Sequence, residues 1–354
     1  MSHRILLLPG DGIGTEVLEA GRHVLDQLAL ARGLSFIYET GLIGGAAIDD
    51  MGEPLPADVL EAARRADAVL LGAVGGPKWH DLPGNKRPEV GLLALRSALG
   101  VYANLRPIIV RPGAVDRSPV KAEIATGTDI LFVRELTGGL YFGDKGTEGD
   151  SAYDICRYSR HEIERVVRMA AIAARNRRGK LSLVDKANVM ETSRLWRAVT
   201  QEIISRDFPD IELEILLVDA ATMHLMTRPR DFDVIVTENL FGDILTDEAS
   251  VLTGSIGLIP SASLGASGAG LYEPVHGSAP DIAGQGKANP IGMIESIAMM
   301  LDHSLGLPNE AKALRAAIGA AMAQCVTADL GGTASTMDMA RAIADQLERA
   351  LALA

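Results

Sequence analysis

The chain has 354 residues, 47% of them apolar, ample for buried cores in about two domains. Its 34 Lys and Arg against 46 Asp and Glu give a formal net charge of −12, which argues against nonspecific binding of nucleic acid or anionic membrane, so an anionic ligand must meet a local basic pocket. No signal-peptide core follows Met-Ser-His-Arg, no apolar run approaches a membrane span, and Cys156 and Cys325 are too few and too separated for a disulfide framework or zinc site, so a reduced, soluble, cytoplasmic protein is expected.

Arg4-Ile-Leu-Leu-Leu8 reads as a strand, followed by Pro9-Gly-Asp-Gly-Ile-Gly14 and a periodic helix through about Ala31 carrying Val17, Leu18, Val24, Leu25 and Leu28. Gly10-x-Gly12 looks like the start of a dinucleotide fingerprint, but the third glycine would fall at Thr15, so the usual Rossmann pyrophosphate turn is not supported. A tight strand-to-helix turn explains these glycines at least as well. Further apolar strands are expected at Ala68–Leu71, Ile130–Val133, Leu181–Val184, Ile215–Val218 and Val234–Val236, with helical segments between many of them. That alternation predicts an α/β fold with ligands at strand ends. No repeat or Pro-rich linker marks a boundary, and Gly/Ser-rich 254–270 is the expected crossing point between domains.

Three arginines stand out, Arg96 closing Gly91-Leu-Leu-Ala-Leu-Arg96, Arg106 in Asn104-Leu-Arg-Pro, and Arg134 directly after a strand. A guanidinium is a rigid fork for carboxylates, so three converging ones would suit a substrate with more than one carboxylate, whereas each alone suits a surface ion pair. Lys186 and Asp219 each follow a strand. A lysine held beside arginines and a metal can lose its proton near neutral pH and act as a base, with Tyr141 returning a proton; a salt bridge and an edge-packed aromatic are the plain alternatives. After the strand beginning at Phe232 comes Asn239-Leu-Phe-Gly-Asp243-Ile-Leu-Thr-Asp247. In a helix these aspartates lie about 6 Å apart along the axis on one face, which suits either a hard divalent cation or two acids stabilised by the helix dipole. Glu273 to Pro290, rich in Gly, Ala and Pro, reads as a long functional loop in which His276, Asp281 and Asn289 supply directed polar groups.

Six motifs in order, Leu8–Gly14, Gly72-Ala-Val-Gly-Gly-Pro-Lys-Trp79, Val133–Gly139, Val184-Asp-Lys-Ala-Asn188, Asn239–Leu245 and Glu273–Gly284, resemble the β-decarboxylating dehydrogenases of 2-hydroxy acids, the isocitrate/isopropylmalate dehydrogenase family, over essentially the whole chain. The resemblance implies a bilobed α/β subunit that is not a standard Rossmann domain, with residues 1–102 and 254–354 as a discontinuous cofactor-binding lobe and 103–253 as a central substrate and dimerisation lobe. It implies NAD held by Gly75, Gly76, His276, Gly277, Ser278, Ala279, Asp281, Ile282 and Asn289, with Asp281 on ribose hydroxyls. Arg96, Arg106 and Arg134 match the carboxylate-binding arginines, with Asp219 also facing the substrate; Asp219, Asp243 and Asp247 match ligands of Mg²⁺ or Mn²⁺. Lys186 matches the base and Tyr141 the acid that protonates C3, with Lys186 and Asp219 coming from the partner subunit of a homodimer. Leu92 and Leu93 would form the wall for an isopropyl group, and Glu89 matches an acid on the nicotinamide side. The implied reaction is oxidative decarboxylation of 3-isopropylmalate to 4-methyl-2-oxopentanoate, in leucine biosynthesis. Glu238, Gln285, Lys287 and Ala221-Thr222 depart from the common pattern without removing a proposed ligand.

Overall fold

A computed structural model describes residues 2–353. The chain divides into two compact units, Met1–Val101 with Ser255–Ala354 and Tyr102–Gly254. In chain order the first unit opens with β1 (Ser2–Gly10), α1 (Gly14–Arg32), β2 (Ser35–Thr40), α2 (Gly45–Met51), α3 (Ala57–Arg65), β3 (Ala68–Ala73) and α4 (Pro88–Leu99). The second unit follows with β4 (Ala103–Ile109), α5 (Ala122–Ala125), β5 (Asp129–Glu135), β6 (Lys145–Glu148), β7 (Ser151–Asp154), α6 (Arg160–Arg175), β8 (Lys180–Asp185), α7 (Glu191–Asp207), β9 (Glu212–Leu217), α8 (Val218–Thr227), β10 (Val234–Thr237) and α9 (Asn239–Ser250). The chain then completes the first unit with β11 (Pro260–Leu264), β12 (Gly270–Pro274), α10 (Ile291–His303), α11 (Pro308–Met322) and α12 (Thr336–Leu353).

In the first unit the strand order is β2-β1-β3-β12-β11, parallel except where β11 meets β12. β3 is buried at every position, so its run Ala-Val-Leu-Leu-Gly-Ala carries no polar alternation. α1 turns Val17, Val24, Leu25 and Leu28 inward with none of their surface exposed, each such burial stabilising by roughly 1.5–3 kcal/mol. α10 is buried from Ile291 to Leu301 and packs on β11 and β12, apolar on nearly all sides as a central helix must be.

In the second unit the order is β4-β5-β10-β8-β9, parallel except for the β4–β5 pair. α6 begins at a capping box in which Ser159 and Glu162 exchange hydrogen bonds, and its inner face packs on β5, β10 and β8. β6 and β7 form a separate antiparallel ribbon with an exposed pattern. Two expectations need correction. β9 ends at Leu217, so Val218 starts α8 and Asp219 lies in that helix's first turn. Glu273 belongs to β12, and the irregular loop starts after Pro274. Among the described residues no helix is long and apolar enough to cross a membrane.

Candidate active site

β10 ends at Thr237, and α9 begins two residues later with Glu238 as its cap, one carboxylate oxygen accepting the Phe241 N–H at 2.7 Å. The other oxygen accepts the Tyr158 hydroxyl at 3.2 Å, and that hydroxyl in turn accepts the Asn239 N–H at 2.9 Å. Burial pushes the Glu238 carboxyl above its ordinary range against the pull of these donors. Asn239, 1% exposed, is thereby fixed so that its Oδ1 accepts both Nε and Nη2 of Arg134, at 3.1 and 2.8 Å, while its Nδ2 donates to Gly138 O at 3.2 Å. Arg134 leaves the end of β5 beneath α9, and only glycine at 242 permits this, because a Cβ there would lie 2.7 Å from Arg134 Cγ and 2.4 Å from Thr237 Oγ1.

The helix brings Asp243 to the free end of that guanidinium. Arg134 Nη1 donates to Asp243 Oδ1, Arg106 Nη1 lies 3.5 Å from the same oxygen, and the Tyr141 hydroxyl donates to Oδ2 at 2.7 Å. Arg106 is itself aimed from β4 by Asn104 Oδ1 and Thr246 Oγ1, both at 2.6 Å. Burial first, and then the hydrogen bond and charge of Asp243, push the Tyr141 phenol up to about 12, so it keeps its proton at neutral pH. Asp247, one turn on, is solvent-exposed, and among the described residues its carboxylate accepts no hydrogen bond. Desolvation and the charge of Asp243 raise its pKa, while Arg106 and Arg134 oppose them. Two hard carboxylate donors one turn apart fit Mg²⁺ or Mn²⁺. Among the described residues, however, no three His, Cys, Asp or Glu side chains gather as a metal site within one chain. Asp219 instead pairs with Lys186 Nζ at 2.5 Å, and that hydrogen bond holds its carboxyl below the usual range. Lys186 sits in the turn after β8, its own N–H tied to Ser193 Oγ at 3.1 Å.

The first unit carries the other expected residues. Arg96 is buried near the end of α4, its Nη2 on Glu273 Oε1 at 2.7 Å and its Nε buried without a partner among the described residues. Leu92 and Leu93 precede it by one turn on the same side and are half-buried. Glu89, in the first turn, lies against the Gly75–Gly76 segment, where a Cβ on Gly75 would come within 2.7 Å of Oε1. After β12 the loop places His276 in the interior, its Nδ1 donating to Gly277 O at 2.9 Å and its Nε2 buried without a partner among the described residues. Burial lowers its pKa, so the ring is neutral and Nε2 presents a lone pair. That orphaned acceptor, together with Ala279 at φ 37 and the exposed Asp281, fits a loop shaped to receive an adenosine group. Gly277 is exposed, Ser278 buried and Ile282 half-buried with its N–H on Ala279 O at 3.1 Å. Asn289 is 1% exposed, its Oδ1 accepting the Ile291 N–H at 2.9 Å and its Nδ2 donating to Thr327 Oγ1 at 2.8 Å.

The partners that aim these groups are not legible in the sequence: nothing local marks Asn239, Glu273 or Tyr158 as a support, or signals a bond between residues 177 apart, as in Arg96 and Glu273.

Residues 4–343 match the isocitrate/isopropylmalate dehydrogenase family. The chain is 52% identical to the 3-isopropylmalate dehydrogenase of Rhodopirellula baltica, covering 98% of this chain and 99% of the relative, and 54% identical to that of Geobacillus kaustophilus, covering 97% and 95%. Among solved structures it is similar to isocitrate dehydrogenase from Methylococcus capsulatus, with a TM-score of 0.88 and 37% identity over 98% of this chain and 99% of that one. It is also similar to a β-decarboxylating dehydrogenase from Thermococcus kodakarensis, with a TM-score of 0.80 and 40% identity over 98% and 96%.

Proposed function

The chain belongs to the isocitrate/isopropylmalate dehydrogenase family, and we infer that it oxidatively decarboxylates 3-isopropylmalate to 4-methyl-2-oxopentanoate in leucine biosynthesis, using NAD and a divalent metal in the cytoplasm. The observation that carries this reading is identity of 52–54% over nearly the full length to enzymes named for that substrate. The convergence of Arg106, Arg134 and Tyr141 on Asp243 supports it chemically. The discontinuous unit is read as the cofactor lobe and the central one as the substrate and dimerisation lobe.

In this reading Arg96, Arg106 and Arg134 bind the substrate carboxylates, and Leu92 and Leu93 meet its isopropyl group. Asp243 and Asp247, with Asp219 of the partner subunit, would hold Mg²⁺ or Mn²⁺, and Glu89, Gly75, Gly76 and residues of the 276–289 loop would hold NAD. When bound, the metal supplies a Lewis acid and NAD a hydride acceptor. Lys186 of the partner subunit removes the proton of the C2 hydroxyl as the C2 hydride departs. The β-carboxylate then leaves C3 as carbon dioxide, and Tyr141, still protonated because Asp243 and burial disfavour its phenolate, delivers a proton to C3. The apolar pair at 92 and 93 distinguishes an alkyl substituent from the third carboxylate of isocitrate, although neighbouring alkylmalates should differ by only about 1–3 kcal/mol.

NADH formation measured across 3-isopropylmalate, isocitrate, homoisocitrate and other alkylmalates, with NAD or NADP and Mg²⁺ or Mn²⁺, tests the reading. The highest kcat/KM is expected with 3-isopropylmalate and NAD; no turnover of that acid overturns the assignment. Lys186→Ala should abolish turnover while metal-dependent substrate binding persists.

A further inference from the structure

The glycine cluster at 10–14 fails as a dinucleotide fingerprint and has no part in the chemistry above, yet its turn is bonded to several other segments of its unit. Asp11 is 4% exposed, and its carboxylate accepts three backbone N–H groups, Gly45 and Gly75 on Oδ2 at 2.9 and 2.7 Å and Ala46 on Oδ1 at 2.8 Å. Two residues later the Ile13 N–H donates to Ser278 O at 2.8 Å, and a Cβ on Gly12 would lie 2.0 Å from that same oxygen. In the first turn of α1, Glu16 Oε1 accepts the Gly286 N–H at 2.8 Å, while its Oε2 is buried without a partner among the described residues. This short stretch therefore grips both the Gly75–Gly76 segment and the loop from His276 to Asn289. Asp11 spends its carboxylate on the protein's own amides. That is the inverse of a phosphate cradle, in which amides are left open for a ligand.

We propose that Asp11 and Glu16 are positioning residues for the cofactor, setting the separation of the two segments that receive NAD so that little ordering remains to be done on binding. The inference rests on the NAD reading above. Its physical basis is pre-organisation: a loop containing Gly284 and Gly286, both at positive φ, has many unbound conformations unless tied, and each tie removed makes the cofactor do the ordering.

The test is NADH affinity, followed by energy transfer from Trp79, which flanks Gly76, alongside steady-state kinetics. Glu16→Ala should raise the Kd for NADH and the KM for NAD about tenfold, the worth of one charge-assisted hydrogen bond, with kcat and the KM for 3-isopropylmalate within about twofold of the parent. Glu16→Gln keeps a carbonyl oxygen for the Gly286 N–H and should restore affinity. Asp11→Asn should lose affinity as Glu16→Ala does, because its NH₂ replaces an oxygen that accepts a backbone N–H and sets donor against donor; the Glu16 pair carries the test if that variant does not fold. Unchanged NADH affinity in Glu16→Ala, failure of Glu16→Gln to rescue, or an equal loss in both KM values and kcat would overturn the proposal. A parent protein that binds NADH but does not oxidise 3-isopropylmalate refutes the substrate reading alone, whereas one that binds no NADH refutes the cofactor reading and this inference with it.

Discussion

Asn239→Ala should expose how much of the second unit's chemistry depends on aiming a single guanidinium. The substitution removes the oxygen that accepts Arg134 Nε at 3.1 Å and Nη2 at 2.8 Å, and the donor that reaches Gly138 O at 3.2 Å. Arg134 is 2% exposed, so water does not readily replace the lost partner. The two guanidinium bonds share one oxygen and count together as one charged hydrogen bond, about 2 kcal/mol; the orphaned Gly138 carbonyl adds roughly 1 kcal/mol, for a loss near 3 kcal/mol. That is a large share of a typical stability of about 5–15 kcal/mol but leaves a folded protein, since Arg134 still pairs with Asp243. Urea unfolding should show a lower midpoint at unchanged slope. The KM for 3-isopropylmalate should rise at least about tenfold, because a misplaced fork loses its bidentate geometry, while the KM for NAD stays put. Asn239→Asp keeps the acceptor for Arg134 but sets a second carboxylate one turn from Asp243 and loses the donor to Gly138, so it should recover substrate affinity more than stability. A loss below about 0.5 kcal/mol in Asn239→Ala, with both KM values unaltered, would refute the idea that Asn239 holds Arg134 in place.

Tyr141→Phe should lower kcat by about 10²–10³ with little change in the KM for substrate, as expected when a proton donor is lost; an unchanged kcat would remove Tyr141 from the chemistry. The raised phenol also has a linkage consequence. With a folded pKa of about 12 against 10 for the ordinary phenol, the native state keeps a proton that the unfolded chain releases, so this contribution is fully present below pH 10 and is lost as pH rises through about 12. The difference in urea midpoint between parent and Tyr141→Phe should therefore narrow across that window, and a constant difference would contradict it. Gly10→Ala should yield no soluble folded protein, since φ is 68° and a Cβ would sit 1.9 Å from Ala73 O, whereas Gly84→Ala, whose Cβ meets nothing within 4 Å, should melt like the parent.

β1, β3, β5, β8 and β10 were legible because strands covered on both faces appear as unbroken apolar runs between polar breaks. The strands that escaped lack that signature. β12 reads Gly-Leu-Tyr-Glu-Pro and hides a buried ion pair from Glu273 to Arg96, while β11 lies inside a Gly/Ser-rich stretch that composition marks as a crossing. The sequence places β9 late because its glutamates at 212 and 214 obscure its start. The candidate groups of the site are named by motifs, but their supports are not. Arg134 and Asn239 are 105 positions apart, and Asp11 and Gly75 are 64 apart, so each pairing is a property of topology rather than of any window of sequence.

The aspartate pair on α9 shows the same division. Spacing alone predicts a shared face, and the helix provides it, but spacing treats the two carboxylates as equals. The fold makes them different. Asp243 is bonded by Arg134 and Tyr141 with Arg106 close by, so its charge is compensated and its orientation fixed; Asp247, lacking such donors, has its carboxyl raised by desolvation and by its neighbour's charge. A carboxylate has about four lone-pair positions, so Asp243 can accept these bonds and still offer oxygen to a cation. A divalent ion bound beside Asp247 would supply the positive charge it lacks, so its ionisation would be coupled to metal binding. The dipole-stabilised alternative gives no reason for this asymmetry, since Asp247 lies in the third turn of α9, beyond the reach of the N-terminal partial charge.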